Sequence, residues 1–443
     1  MRVGTGAAAA LLVVALGAGD AAAEDFVASS SKWGQAETDA IVAAGGSVKF
    51  SHNGTGLAWV SSDSADFVAQ AMATGLFGFV VADQVVQWQP DARQIEMDDA
   101  AIDPSNDTFY PIQWAPRAID APAAWAAGCD GSGVRVAILD GGIYSAHPDL
   151  NDNIDTARSI SFVAGQPYNN DTGTFWHGTH VAGIVAAEDN NIGVVGIAPK
   201  ATIIGVKVLH NGTGSFGAVI SGILHAAAPI ADGGAGADII NMSLGATFPK
   251  AGGAGTLIGA LAKAVNYADR HGVLVVSAAG NNGLDLDHAK SVTSVPAQSG
   301  SGMAVSATAP VGWALGATNF ARLASYSNYG VSVVNVAAPG GDFAYPGNEN
   351  CTMATATSTI TRPCWVFDLV LSTSRAGYSW AAGTSMAAPA ASAVAAIIKQ
   401  ANSGISLGDL KARLEASSLD LGKKGTDPIY GRGWVNALRA CTQ

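Results

Sequence analysis

Three side chains in this sequence could together move a proton and attack a carbonyl. Asp140 ends the apolar run Gly133-Val-Arg-Val-Ala-Ile-Leu-Asp140 and is followed by two glycines. His177 stands in Trp176-His-Gly-Thr-His180. Ser385 stands in Ala381-Ala-Gly-Thr-Ser-Met-Ala-Ala-Pro-Ala390, which runs on as Ala391-Ser-Ala-Val-Ala-Ala-Ile-Ile398. A hydroxyl is a weak nucleophile until a base takes its proton, and an imidazole base needs an anion to orient it and balance its charge. Asp, His and Ser supply those parts. They lie 37 and then 208 positions apart, so only a fold can unite them. Singly, each has a plainer reading. Asp140 could be a strand-end cap or a metal ligand, and Ser385 a helix cap. His177 and His180 suggest a helical metal pair, but there is no H-E-x-x-H and no third ligand at a suitable spacing. His180 reads as a core residue or a support behind the site.

The elements that must hold these residues are legible around them. The Ala-rich run after Ser385 is apolar nearly all round, the pattern of a buried helix. Ser385 therefore opens such a helix, where free N–H groups and the positive end of the dipole stabilise negative charge. Pro389 is tolerable because it lies near the start. Residues 133–140 form a near-continuous apolar strand, as in a parallel sheet buried on both faces. Strands over 201–209, 238–244 and 273–280 alternate with helices over 179–187, 216–227 and 256–271. That βαβ alternation predicts an α/β fold with a doubly wound, mostly parallel sheet, helices on both faces and the site at the strands' carboxyl ends. Residues 24 to about 90 differ, reading β-α-β-β-α-β from Phe26 to Val86, a small α+β module. Gln87 to Pro111 then turns polar, a linker composition open to proteolysis.

The chain has 443 residues, 49% hydrophobic and 13% charged, enough for one large domain and one small one. A net charge of −12 gives no electrostatic support to a nucleic-acid role. Arg2, the apolar run Ala7–Leu16 and Ala21-Ala-Ala23 have the pattern of a secretory signal, too short to span a membrane. Export makes disulfides permissible. Cys129, Cys351, Cys364 and Cys441 allow three pairings. The preferred one is Cys351–Cys364, stapling a Thr-rich loop, with Cys129–Cys441 tying the C-terminal tail to the start of the domain. A short staple of this kind is worth roughly 3 kcal/mol in the chain-entropy account.

Taken together, Ala137-Ile-Leu-Asp-Gly-Gly-Ile143, His177-Gly-Thr-His-Val-Ala-Gly183 and Gly383-Thr-Ser-Met-Ala-Ala-Pro389 resemble the three signature blocks of the subtilisin-like serine proteases, in that family's order. The resemblance covers about residues 112 to 440. It implies a secreted serine endopeptidase with Asp140, His177 and Ser385 as its triad. Ser277-Ala-Ala-Gly-Asn-Asn-Gly283 resembles the family's oxyanion block and implies Asn281 as the amide donor beside the Ser385 N–H. Ser243, Leu244 and Gly245 would pair with the substrate backbone. Ala278, Ala279 and Gly280 would wall the pocket for the residue before the cut, small and uncharged, suited to a large apolar side chain. The implied domains are a signal peptide over 1–23, an inhibitor-like propeptide over 24–108 and a peptidase over 109–443, with self-cleavage within about 98–110. The implied partners are peptide and protein substrates and the chain's own propeptide, with no nucleic acid, no membrane and a monomeric state. No cofactor is implied for catalysis. A structural calcium ion is implied, with Asp149 and Asn190 as side-chain ligands and the carbonyls of Glu188, Ile192 and Val194.

Overall fold

Alternate residues of the central strands belong to two different apolar clusters, and this divides the molecule into layers. In a computed structural model describing residues 23–89, the backbone of 94–96, 107–172, 176–375 and 377–443, Val136 and Ile138 face one cluster and Ala137 and Leu139 the other. Ile203 and Ile204, Ile239 and Ile240, and Val275 and Val276 divide in the same way. Successive side chains of a strand point to opposite faces, so these β-branched runs build a sheet buried on both sides. Seven strands form it, in the order 334–339, 303–308, 274–278, 239–242, 135–140, 202–207 and 160–161, all parallel.

The helices His177–Ala186 and Thr384–Ala401 cover one face, and Phe216–Ala227 and Gly255–Arg270 the other. This is the doubly wound α/β arrangement expected. The strand Arg135–Asp140 has later strands on both its sides, which makes its carboxyl end the point where the winding reverses and a crevice opens. The strands 303–308 and 334–339, absent from the sequence reading, complete the sheet.

The N-terminal module has the expected element order. Strands Glu24–Ser30, Gly46–His52, Leu57–Ser62 and Phe77–Ala82 form an antiparallel sheet, with helices Gln35–Ala43 and Phe67–Ala73 closing a core of Phe26, Ile41, Val60, Phe67 and Val80. Val27 and Leu57, on the sheet's other face, join the cluster of Phe216, Ile220 and Tyr267.

One boundary differs from expectation. The run 80–86 is not a single strand: Phe77–Ala82 stays in the module, while Val85–Gln87 pairs antiparallel with Thr213–Ser215 of the larger domain. Asp83 makes the break, because its carboxylate accepts the Gly217 N–H at 3.0 and 3.2 Å, capping the first turn of the helix beginning at Phe216.

Disulfides join Cys129 to Cys441 and Cys351 to Cys364, the second closing the hairpin Asn350–Ala354 and Thr359–Pro363. No helix among the described residues is long and apolar enough to cross a membrane. The expected signal segment before residue 23, and residues 98–106 of the expected cleavage region, lie outside the described residues.

Candidate active site

The carboxyl end of the central strand carries Asp140 with none of its surface exposed. Its Oδ1 accepts the Gly141 N–H at 2.7 Å, and both carboxylate oxygens face His177 Nδ1, at 2.9 and 2.8 Å. His177 is the first residue of its helix and only 5% exposed. Burial opposes a charge on its ring, but the charge and hydrogen bond of Asp140, with a smaller contribution from Asp171, outweigh that and hold the imidazole above its ordinary value. His180 lies one turn on and plays no such part. Burial pushes it down to about 3, and its Nε2 meets the Ser379 carbonyl at 3.0 Å, so it is a neutral core residue.

Ser385 is the second residue of the helix Thr384–Ala401 and 8% exposed. Its Oγ donates to the Ser243 carbonyl at 3.2 Å, and its carbonyl accepts the Ser243 hydroxyl at 2.7 Å. Asn241 donates to Ser243 Oγ at 2.9 Å and accepts the Ser392 hydroxyl at 3.0 Å. Ser392, Asn241 and Ser243 thus form a polar rail that fixes the start of the helix against the strand Ile239–Met242. Asn281 is anchored from the same helix start, for its Oδ1 accepts the Thr384 N–H at 2.9 Å and hydroxyl at 2.7 Å. Those two donors demand the oxygen end of the amide, so the N–H₂ end is the one left to face outward. Its neighbour Asn282 is exposed, with Oδ1 toward Thr247.

The sequence profile of the subtilase family matches residues 131–433. Subtilisin Savinase from Lederbergia lenta is 37% identical over 332 residues, 74% of this chain and 98% of that protein. Thermitase from Thermoactinomyces vulgaris is 34% identical over 339 residues, 76% and 98% of the two chains. The chain belongs to the subtilase family. It is a serine endopeptidase of the subtilisin type acting on peptide substrates. Among solved structures, a protease from Pseudoalteromonas arctica superposes with a TM-score of 0.57 at 29% identity, covering 77% of this chain and 99% of that one. An epidermin leader peptide processing serine protease from Staphylococcus aureus shares the fold over 95% of this chain and 98% of its own, with a TM-score of 0.70 at 21% identity.

The other expected positions lie at the carboxyl ends of the neighbouring strands Ile239–Met242 and Leu274–Ala278. Ala279 is buried, and its carbonyl accepts from Asn328 Nδ2 at 2.9 Å and Ser294 Oγ at 3.3 Å. Gly280 has φ 106°, and a Cβ there would come within 2.4 Å of Asn328 Nδ2, so only glycine fits. Ser243 and Leu244 are buried, and the Gly245 N–H donates at 2.8 Å to the carbonyl of the chain's own Trp88. Trp88 is fully buried, edge-on to Phe216 with ring centroids 5.0 Å apart, and its Nε1 donates to the Gly214 carbonyl at 2.9 Å. Next to it, Gln89 Nε2 lies 2.6 Å from Asp140 Oδ1. Sequence reasoning missed Trp88, Gln89, Asn241, Asn328 and Ser392. The one signal for the first two was a tryptophan between glutamines after an apolar strand.

Among the expected calcium ligands, Asp149 packs against the loop that carries Glu188, Asn190, Ile192 and Val194. Asp149 is fully buried; its Oδ2 accepts the Val194 N–H at 2.9 Å, and its Oδ1 has no partner among the described residues. Burial pushes this carboxyl up to about 9. A buried carboxylate oxygen without a donor fits an oxygen-ligated cation. Asn190 Oδ1 accepts the Ile192 N–H at 3.1 Å, the Glu188 carboxylate accepts the Asp152 N–H at 2.9 Å, and Asp107 accepts the Asn191 N–H at 3.1 Å. No cluster of three or more His, Cys, Asp or Glu suited to a metal occurs among the described residues, so an ion here would draw on carbonyls.

The first turn of the His177 helix depends on a further carboxylate. Asp171 Oδ2 accepts the Thr179 N–H at 2.7 Å and its hydroxyl at 2.6 Å, and Thr179 Oγ1 in turn accepts the Tyr144 N–H at 2.9 Å. Replacing Asp171 with alanine leaves a buried helix N–H without an acceptor. Denaturant unfolding should show a loss of about 1–3 kcal/mol. Asp171→Asn, which keeps an acceptor oxygen, should recover most of it. Equal stability of Asp171→Ala and the parent would remove this role.

Proposed function

We propose that the chain is the precursor of a secreted endopeptidase that cuts itself free of its N-terminal module. Residues 1–23 act as signal peptide, 24–108 as propeptide and 109–443 as peptidase. The observation that carries the chemistry is the short bridge from both Asp140 oxygens to His177 Nδ1 beside the Ser385 helix start. In the released enzyme the hydroxyl of Ser385 turns from Ser243 toward the imidazole. Neutral His177 takes its proton as Oγ attacks the peptide carbonyl, and Asp140 stabilises the imidazolium. The Asn281 amide and the Ser385 N–H donate to the oxyanion; His177 then protonates the leaving amine and activates water to hydrolyse the acyl-enzyme. The backbone at Ser243–Gly245 lines up the substrate strand, and the small walls Ala278, Ala279 and Gly280 admit a large apolar side chain before the cut. The inhibitor reading is supported by residues 85–89, which lie along Thr213–Ser215 and accept the Gly245 N–H.

A structural calcium ion fits the loop at 188–194, held by Asp149, Asn190 and the carbonyls of Glu188, Ile192 and Val194. When bound it neutralises the buried carboxylate and stiffens the loop. It takes no part in the reaction.

The first test is mass analysis of the full chain and of Ser385→Ala, before and after a serine-directed phosphonate. The parent should lose the segment before about residue 109 and gain one adduct on Ser385, and the variant should do neither. Asn281→Leu should keep the nucleophile and lose about 10²–10³-fold in kcat, the usual cost of one oxyanion-hole donor in this class of enzyme. A parent that stays full length and unlabelled contradicts the reading.

The pH profile gives a second test. The neutral imidazole is the active form and the fold raises its pKa, so kcat/KM should rise with pH through a midpoint above the free-histidine value of about 6.5. Asp140→Asn should lower both rate and midpoint. A flat profile between pH 5 and 9 would sink the assignment.

For the ion, a chelator should lower the melting temperature of the parent, and Asp149→Ala should abolish that response. An unchanged parent would argue against bound calcium.

A further inference from the structure

Two stretches of the chain before residue 97 are bound to the peptidase by main-chain pairing, one ending at the dyad and the other starting beside the Ser385 helix. In the first, Val85–Gln87 pairs antiparallel with Thr213–Ser215. The Trp88 and Gln89 N–H groups donate to the Gly212 carbonyl at 2.9 and 3.1 Å, and the Trp88 carbonyl accepts the Gly245 N–H at 2.8 Å. The run reaches the dyad, with Gln89 Nε2 2.6 Å from Asp140 Oδ1. In the second, the backbone of Gln94–Glu96 pairs antiparallel with Tyr378–Ala381, the strand that leads through Gly383 into the helix Thr384–Ala401.

The registers give the chain a direction. Val85 lies opposite Ser215 and Gln87 opposite Thr213, so the first strand advances toward Gln89 and the dyad. Gln94 lies opposite Ala381, four positions before Ser385, and Glu96 lies opposite Ser379, so the second strand moves away from the nucleophile. A polypeptide that arrives at the dyad as one strand and departs from beside the Ser385 helix as another crosses the triad in between. Main-chain pairing with exposed strand edges is a way of holding an extended peptide, and here the peptide is the chain itself.

The bond nearer residue 109 is tied down elsewhere. The Thr108 carbonyl accepts the Ala356 N–H at 2.9 Å and the Phe109 N–H donates to the Gly193 carbonyl at 2.7 Å, so both polar groups of the amide between them are engaged. The Phe109 ring is buried, its centroid 5.0 Å from that of Tyr378, and Asp107 accepts the Asn191 N–H at 3.1 Å. Ser385 can reach this bond only after residues 107–109 come away.

We infer that the first self-cut falls after Gln89 and before Gln94, within one chain, and that shortening to about residue 109 is a second, later event. In the first cut the Ser385 hydroxyl turns from Ser243 to His177, and Oγ bonds to the carbonyl carbon. The C–N bond breaks, and His177 passes the proton taken from Ser385 to the leaving amine. Water then splits the acyl-enzyme and returns a proton to Ser385 through His177. This rests on the self-processing reading given above and names the stretch of chain that serves as its substrate.

The test follows the purified full-length chain by intact mass over time at several protein concentrations. The first new species should begin between residues 90 and 94, form at a rate independent of concentration, and precede any species beginning near 109. Trp88→Ala removes the buried indole and its bond to the Gly214 carbonyl, and should slow the first cut roughly tenfold or more. Trp88→Phe keeps a ring beside Phe216 and should recover most of the rate. A first species that begins between residues 98 and 109 overturns the junction and leaves self-processing standing. Equal rates for Trp88→Ala and the parent, or a first cut that speeds up with concentration, also overturn it. A parent that never shortens sinks the self-processing reading, and the cut with it. Hydrogen exchange in the Ser385→Ala chain separates these failures: slow exchange at 94–96 keeps the segment as an occupant of the cleft, and fast exchange there removes it.

Discussion

A carboxyl group with no exposed surface sits at the carboxyl end of the central strand, and the structure around it supplies its hydrogen-bond partners. Burying such a group without donors costs more than any single apolar contact returns. Asp140 is surrounded by the Gly141 N–H, the His177 ring and the Gln89 amide. That shell exists only because a helix begins immediately beside the strand's end. Gly178 permits the approach: a Cβ there would lie 2.0 Å from the Gly142 carbonyl oxygen and 3.1 Å from Asp140 Cβ. Behind it, Lys207 donates to the Gly141 carbonyl and, at 3.1 Å, to Thr172 Oγ1, and burial draws its ammonium down to about 8.

The helix start that carries Ser385 is positioned by a different device. The helix Thr384–Ala401 is buried through Ile398, and apolar contacts alone specify its rotation and register weakly. The rail from Ser392 through Asn241 to Ser243, and the clasp of Asn281 on Thr384, are buried or half-buried polar contacts whose loss would leave unpaired groups in the core. They fix the helix start against the strand Ile239–Met242 and against Asn281.

The tail of the N-terminal module lies along Thr213–Ser215 and the Gly245 N–H, the edges proposed above to take a substrate strand. That tail gains β-pairing with Thr213–Ser215 and burial of the Trp88 indole. Because it belongs to the same chain, these contacts form at high effective concentration. Small apolar contacts from Val27 and Leu57 orient the module, and Asp83 fixes where the tail departs. Filling the cleft and resting an amide on the dyad are then separate consequences of one strand leaving its own sheet.

Local pattern determined a good deal. Near-continuous apolar runs marked the buried strands, the Ala-rich stretch marked the helix behind Ser385, and Asp140, His177 and Ser385 stood out because residue type and local context agreed. The two strands after residue 300 and the rail through Asn241 and Ser392 were not legible, since a buried Asn or Ser looks local until its distant partner is known. The break at Asp83 was hidden for the same reason, as its partner is a helix N-terminus 134 residues away. Sequence by itself determined which groups could do chemistry and which elements would carry them, because these follow from side-chain type and short-range periodicity. Only the tertiary structure decided what touches what: that Asn281 rather than Asn282 faces Thr384, that Asp149 keeps an oxygen without a donor, and that Gln89 reaches the dyad. Those are contacts between segments remote in the chain, and no local pattern encodes them.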